Sequence, residues 1–373
     1  MKRRIWIPTI LILALLFSGC GLPTQSTSAP EPSGHLELKY AENFSVDYYD
    51  AGAALLTIAG SDRYLLLPQD ASAPKGLETL PVIRYPVEQV YLASSSVADL
   101  FVQLGELDRV LFTSTKSADW RLPAVQEAMD AGTLLYAGKY SAPDYELLLE
   151  KGSDLVVENT MILHKPETKE KLEELGFSVL LEYSSYEPHP LGRVEWIKLY
   201  GLLTGRLPEA EAFFEQQVES VKAVSDTAST DKTVAFFYFT PSGGVVVRKN
   251  ADYVTRMIEL AGGSTAFTEL PEDESALSSI TIQMESFYAQ AKDADVLIYN
   301  STVSGDLTTL DELLAQYPLL ADFSAVQSGS VWCTEQSMFQ QTSAAAGMIL
   351  DIHQILNGEA EQADQLQFLH RLK

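Results

Sequence analysis

The chain has 373 residues, 46% of them hydrophobic, with 51 acidic side chains against 26 basic ones and a formal charge of −25. A field of that sign repels polyphosphate backbones and anionic headgroups, which sets nucleic-acid partners aside; it also serves plain solubility, so it carries no ligand information. The two cysteines, Cys20 and Cys333, build neither a disulfide framework nor a CxxC metal site.

Lys2, Arg3 and Arg4 precede an apolar run over 5–17 that only Pro8 and Thr9 interrupt, followed by Ser18, Gly19 and Cys20. This is the layout of a secretory signal peptide, residues 1–19, and the run is short for a membrane span. The small pair before Cys20 resembles the lipobox of bacterial lipoproteins, with Phe17 where leucine is usual. That resemblance implies cleavage ahead of Cys20 and lipid on its thiol, hence a location on the extracytoplasmic face of the cell membrane; ordinary secretion is the alternative. Residues 20–34, rich in Ser, Thr and Pro, read as a flexible tether. About 340 residues remain, enough for two cores of ordinary size.

Residues 35–68 alternate β-rich pieces with turn residues Asp50, Gly52, Gly60 and Asp62, predicting one or two antiparallel hairpins. From Val82 the texture changes to strands and helices in alternation: strands at 89–93, 109–113, 154–157 and 178–181, helices at 97–104, 142–151 and 167–175. Unbroken apolar strands separated by helices predict a parallel sheet covered on both faces.

Two helices follow, over 193–203 and 208–224, with Gly205 as the stop between them. Pro208 suits the first helical position, and Ala210, Phe213, Phe214, Val218, Val221 and Val224 form one apolar stripe. At ~1.5 Å per residue the second helix runs ~25 Å, long enough to join two lobes. Alternation then restarts with strands at 233–239, 245–247, 295–299 and 330–333 and helices at 251–260, 284–291, 310–316 and near the C-terminus. The expected fold class is α/β, two Rossmann-like lobes joined by a long α-helix with the ligand cleft between them. Its parts are a first lobe at 35–205, the joining helix at 206–226 and a second lobe at 227–373.

Catalytic signatures are absent: there is no GxSxG elbow, HExxH helix, GxGxxG turn or GxxxxGK loop. The five histidines (His35, His164, His189, His353 and His370) are scattered, with none spaced as a ligand pair. His164 and His189 fall on loops of the first lobe, either solvated or close in space. The chain is therefore not expected to be an enzyme, and a surface-anchored hydrolase is the alternative of a different class.

Pro86-Val-Glu-Gln-Val-Tyr-Leu-Ala-Ser-Ser-Ser, followed by Leu104-Gly-Glu-Leu-Asp-Arg-Val, resembles the opening of the substrate-binding proteins of iron-siderophore, haem and cobalamin ABC importers. Tyr145-Glu-Leu-Leu-Leu-Glu-Lys-Gly-Ser-Asp-Leu-Val-Val resembles that family's next landmark, a glutamate eight residues ahead of an Asp-Leu-Val strand, with Ser153 where proline is usual. Residues 205–224 resemble its interlobe helix, and Met284-Glu-Ser-Phe-Tyr-Ala-Gln-Ala-Lys-Asp-Ala-Asp-Val-Leu-Ile resembles its second-lobe counterpart. The resemblance covers nearly everything from Val82 onward. It implies a monomeric carrier without a resident cofactor that delivers a small-molecule metal chelate, such as a ferric siderophore, haem or cobalamin, to an ABC transporter permease. It also implies that Glu146 and Glu285 dock on permease arginines, a bidentate, charge-assisted pairing; Glu285 lies ten residues ahead of Asp295 rather than eight.

The ligand is expected where loops leave the carboxyl ends of the parallel strands. Ser95 belongs to a serine run at a helix N-terminus, suited to an anionic group or to simple capping. Tyr140 and Tyr238 offer stacking, Met338 soft apolar contact, and Arg248 a cation beyond an apolar strand; core packing and a surface salt bridge are the rival roles. Arg193 and Glu195, in a polar and aromatic run ahead of a helix, line the cleft, pair with each other or cap that helix. No converging set of carboxylates, histidines and tyrosines for a bare Fe3+ or Mn2+ is evident, so a chelate is preferred to a bare ion.

Overall fold

The computed structural model describes residues 30–226, 229–271, 279–359 and 366–373. The leader, Cys20 and most of the tether lie outside them. The described chain opens with a five-stranded sheet made of β1 (Gly34–His35), β2 (Phe44–Tyr48), β3 (Ala54–Ile58), β4 (Asp62–Pro68) and β5 (Val82–Tyr85). β1 to β4 run antiparallel, as the turn residues predict, whereas β5 adds in parallel with Ile83 opposite Leu66. Alternation along the strands decides the faces: Val46, Leu56 and Leu66 join the main core, while Leu65 and Leu67 pack under Leu77.

The first lobe contains β6 (Val90–Leu92), α1 (Ala98–Leu104), β7 (Val110–Thr113), α2 (Pro123–Asp130), β8 (Leu135–Tyr136), a hairpin of β9 (Gly138–Lys139) and β10 (Ala142–Pro143), α3 (Tyr145–Lys151), β11 (Leu155–Asn159), α4 (Pro166–Glu174) and β12 (Val179–Glu182). Its parallel sheet has the order β12-β11-β6-β7-β8. The helix predicted over 142–151 is shorter, because Ala142 and Pro143 pair in the hairpin and Asp144 caps the helix by accepting the Leu147 N–H at 3.1 Å.

The helix predicted over 193–203 is two, α5 (Pro190–Glu195) and α6 (Ile197–Thr204), divided at Trp196. Gly205 ends α6 in the left-handed conformation, and α7 (Leu207–Ser225) follows. Ala210, Phe214, Val221 and Val224 of the predicted stripe are buried. Gly201 permits close contact between the last two helices, since a Cβ there would lie 2.5 Å from the Ala210 Cβ.

The second lobe contains β13 (Thr233–Phe239), β14 (Val245–Arg248), α8 (Tyr253–Leu260), β15 (Ser264–Thr265), β16 (Ser279–Ile282), α9 (Met284–Ala291), β17 (Val296–Tyr299), α10 (Ser301–Ser304), α11 (Leu310–Gln316), α12 (Ser324–Ser328), β18 (Val331–Thr334), α13 (Ala345–Asn357) and β19 (Leu369–Arg371). Its sheet has the order β16-β14-β13-β17-β18-β19, with β15 beside β13. β13, β15, β17 and β18 are parallel; β14 is antiparallel to both of its neighbours, β13 and β16, and β19 is antiparallel to β18 at the other edge.

The architecture is the expected one, two Rossmann-like lobes and a joining helix. One apolar cluster runs from Val90 and Phe101 in the first lobe through Phe214 of α7 to Val254 and Ile349 in the second. A large rotation of the lobes would shear this shared, close-packed core, so the fold favours small hinge movements.

Candidate ligand-binding cleft

The carboxyl ends of β6, β7 and β12 in the first lobe face the loops after β17 and β18 in the second, and side-chain hydrogen bonds span the gap. Gln340 Oε1 accepts the Arg121 backbone N–H at 2.7 Å, and Gln336 Oε1 accepts the Arg121 Nε–H at 2.7 Å. Gln340 Nε2 donates to the Asp119 carbonyl at 2.9 Å. Further in, Thr342 Oγ1 donates to the Ser96 carbonyl at 2.8 Å, and Asp99 accepts the Ser343 N–H at 2.8 Å. The lobes therefore meet in a closed arrangement.

Between them lies a cavity of about 20 Å³, bounded by Arg193, Tyr253, Met257, Met338, Phe339 and Met348. That is room for about one water. The Arg193 guanidinium stands 4.0 Å from the Tyr253 ring centroid, joining α5 of the first lobe to α8 of the second. Arg248 does not line the cavity but lies 5.4 Å from the ring of Phe339, which does, and 3.7 Å from the Asp252 carboxylate. Nearer solvent, Asp119, Arg121, Ser301, Thr302, Gln336 and Gln340 border a polar groove of about 270 Å³.

Of the residues singled out in the sequence, Arg193 and Met338 share this cavity and Arg248 adjoins it. Ser95, Tyr140 and Tyr238 do not line it. Ser95 opens a 3-10 turn ahead of α1, whose first turn already holds the buried carboxylate of Asp99. Tyr140 is half-buried against the apolar cluster of the first lobe that contains Phe112 and Leu148, and Tyr238 is half-buried against the apolar cluster of the second lobe. Glu195 neither lines the cleft nor pairs with Arg193. It is fully buried and accepts the N–H groups of Lys39, Tyr40 and Ala41 together with the Lys198 ammonium, at 2.7–3.0 Å. His164 is exposed, whereas His189 stacks on Tyr40 at 4.4 Å and accepts the Leu191 N–H; burial lowers its pKa to about 4.

Sequence reading missed Arg121, Tyr253 and Glu182. Arg121 sits in the loop after β7, the same position relative to a strand end that marked the other candidates, so that rule would have found it. Glu182 ends β12 inside the lobe junction, takes the Ser184 N–H at 2.8 Å and feels the Arg193 charge, yet burial still pushes its carboxyl upward.

Glu146 and Glu285 are exposed in the first turns of α3 and α9. The aspartates that follow them have a common structural task. Asp154 accepts the N–H groups of Glu88 and Gln89, tying the start of β11 to β6; Asp295 accepts the Thr233 N–H and hydroxyl, tying β17 to β13. The two lobes thus repeat one helix-aspartate-strand unit.

Paired α/β lobes on a helical linker, closing over a site at the strand ends, define a solute-binding protein rather than a catalyst. Residues 90–337 match the family of periplasmic binding proteins, and the chain belongs to that family of extracytoplasmic substrate-binding proteins, which are not enzymes. A lipoprotein of Methanocaldococcus jannaschii is 24% identical over 401 aligned positions, covering 100% of both chains. Among solved structures, the periplasmic haem-binding protein HutB of Vibrio cholerae superposes with a TM-score of 0.59 at 17% identity, over 72% of this chain and 98% of that one. The Fe3+-hydroxamate transport protein of Saccharomonospora viridis gives 0.53 at 19% identity, over 72% and 93%. Among the described residues no helix is long and apolar enough to cross a membrane.

Proposed function

We propose that this chain is the substrate-binding lipoprotein of an ABC importer, held at the membrane by lipid on Cys20, and that it carries a preformed metal chelate of the ferric siderophore, haem or cobalamin kind to the permease as a monomer. The observation that carries the reading is the cavity where Arg193 and Met338 meet Tyr253 and Phe339 between the lobes. A guanidinium suits an anionic chelate, and thioether and aromatic groups suit its organic face. The haem and Fe3+-hydroxamate proteins of the same fold support this ligand class, and the archaeal lipoprotein supports the anchor.

A chelate needs a pocket of ~300 Å³ or more, against about 20 Å³ in the closed arrangement. Entry therefore requires the lobes to part at the Arg121 bonds and at the Arg193–Tyr253 contact, within the small range that the shared core allows. Glu146 and Glu285, exposed on equivalent helices of the two lobes, are the proposed permease contacts, and Arg248 is proposed to hold the ligand-facing wall through Phe339.

The test is tryptophan fluorescence quenching of the tether-free domain, titrated with ferric siderophores, haem, cobalamin and free Fe3+. Saturable binding of one chelate, weakened in Arg193→Met, is the expected result. Binding of free Fe3+ with no chelate bound, or no binding at all, would overturn the reading.

A further inference from the structure

We propose that Asp306, Cys333 and His370 bind a divalent cation of zinc-like softness, at a site built from the second lobe alone and separate from the interlobe cleft. The antiparallel pairing of β18 with β19 sets His370 directly opposite Cys333, and the loop after α10 brings Asp306 over both. One ligand atom from each lies within 4.8 Å of the other two. Asp306 Oδ1 is 3.9 Å from Cys333 Sγ and 3.9 Å from His370 Nε2.

In a tetrahedral site with bonds of ~2.0–2.3 Å, ligand atoms stand roughly 3.3–3.8 Å apart, so the two separations of 3.9 Å need shorten by only a few tenths of an ångström, while His370 Nε2 must turn from the Leu307 carbonyl toward Cys333 for the three to share one ion. A thiolate, an imidazole and a carboxylate together select a borderline cation such as Zn2+ over the hard ions that prefer oxygen alone. His370 Nδ1 stands 2.7 Å from Glu335 Oε1, the outer carboxylate that fixes a ligating imidazole with its other nitrogen toward the metal. Nε2 donates to the Leu307 carbonyl at 2.7 Å, so binding would displace the Nε2 proton as well as the thiol proton, releasing both to solvent. Cys333 is buried and forms no disulfide, while Asp306 is exposed and leaves a route from solvent.

Glu335 also begins the loop carrying Gln336 and Met338, so the outer shell of this site is continuous with the cleft wall. The site itself does not depend on what the cleft carries.

The test uses the whole chain bearing Cys20→Ser, so that Cys333 is its only thiol, stripped of metal and titrated with Co2+ and then Zn2+. One equivalent of Co2+ is expected, with thiolate-to-cobalt charge-transfer absorption that Zn2+ abolishes. Cys333→Ser should lose that absorption, Asp306→Asn should bind at least about tenfold more weakly, and Glu335→Gln about 10–100-fold. Absence of stoichiometric binding, or charge-transfer absorption that persists in Cys333→Ser, would overturn the proposal. Should Cys333→Ser not fold, Asp306→Asn decides the matter, because its side chain is exposed and an unchanged Co2+ affinity and spectrum there would equally sink it. Chelate titration of the same variants reports on the cleft separately.

Discussion

Arg193 of the first lobe lies with its guanidinium 4.0 Å above the ring of Tyr253 in the second, a contact that joins the lobes while forming one wall of the cavity between them. Such a cation–aromatic contact, partly desolvated, contributes ~0.5–2 kcal/mol. Arg193→Met keeps the length and loses the charge, so the open form should gain several-fold in population. Small-angle scattering of the ligand-free protein would register a larger radius of gyration; an unchanged curve would deny the contact any part in closure.

Arg121 has a different share in the junction. It meets Gln336 and Gln340 at the rim, where the polar groove is open to solvent. Arg121→Ala removes the bond to Gln336 across the rim together with two local bonds to the Ala118 and Trp120 carbonyls, all at the exposed edge, so it should lower the melting temperature only slightly yet speed ligand release several-fold. Stopped-flow displacement measures this, and an unaltered release rate would count against the rim as a gate.

The segment at 39–43 is fastened from below by two buried carboxylates. Glu195 takes three backbone N–H groups and the Lys198 ammonium, and Glu187 takes the N–H groups of Glu42 and Asn43 and the Trp196 indole. Glu195→Gln strands a buried ammonium, and breaking such a pair costs about 3–5 kcal/mol. Urea unfolding should show that loss, and proteolysis should cut near Lys39 in the variant first.

Glu158 supplies a pH dependence. Both of its carboxylate oxygens, and the nearby Tyr91 hydroxyl, are buried without a hydrogen-bond partner among the described residues. Burial raises the Glu158 pKa from 4.5 to about 8. Below 4.5 folded and unfolded chains both hold the proton; as pH rises toward 8 only the folded chain keeps it, so stability falls across that window and then levels off. Glu158→Gln should remove that decline, and the variant should exceed the parent by up to about 5 kcal/mol at pH 8 while matching it near pH 4.5. Parallel pH profiles for the two proteins would contradict the assignment.

Joint replacement Glu146→Ala and Glu285→Ala should leave chelate affinity in solution unchanged and depress uptake in cells, since both carboxylates are exposed and distant in sequence from the cavity residues. Reduced affinity in solution would move them out of the docking role.

The sequence by itself determined the alternation of strands and helices, the apolar stripe of the joining helix, and the family, because periodicity and local motifs are properties of contiguous residues. Its errors in the elements were local competitions. Pro143 drew its neighbours into a hairpin instead of a helix, and β19 was unforeseen because a three-residue edge strand has too little pattern to stand out. The cleft was only partly legible: Arg193 and Met338 converge, but Tyr140 and Tyr238 had equal claims by residue type and are diverted to the packing of their own lobes. Tertiary structure alone decided that Glu195 anchors residues 39–41, that Arg121 reaches Gln336, and that His370 lies opposite Cys333. Each of these pairs is far apart along the chain, and what brings it together is strand order and lobe closure, which the spacing of residues does not encode.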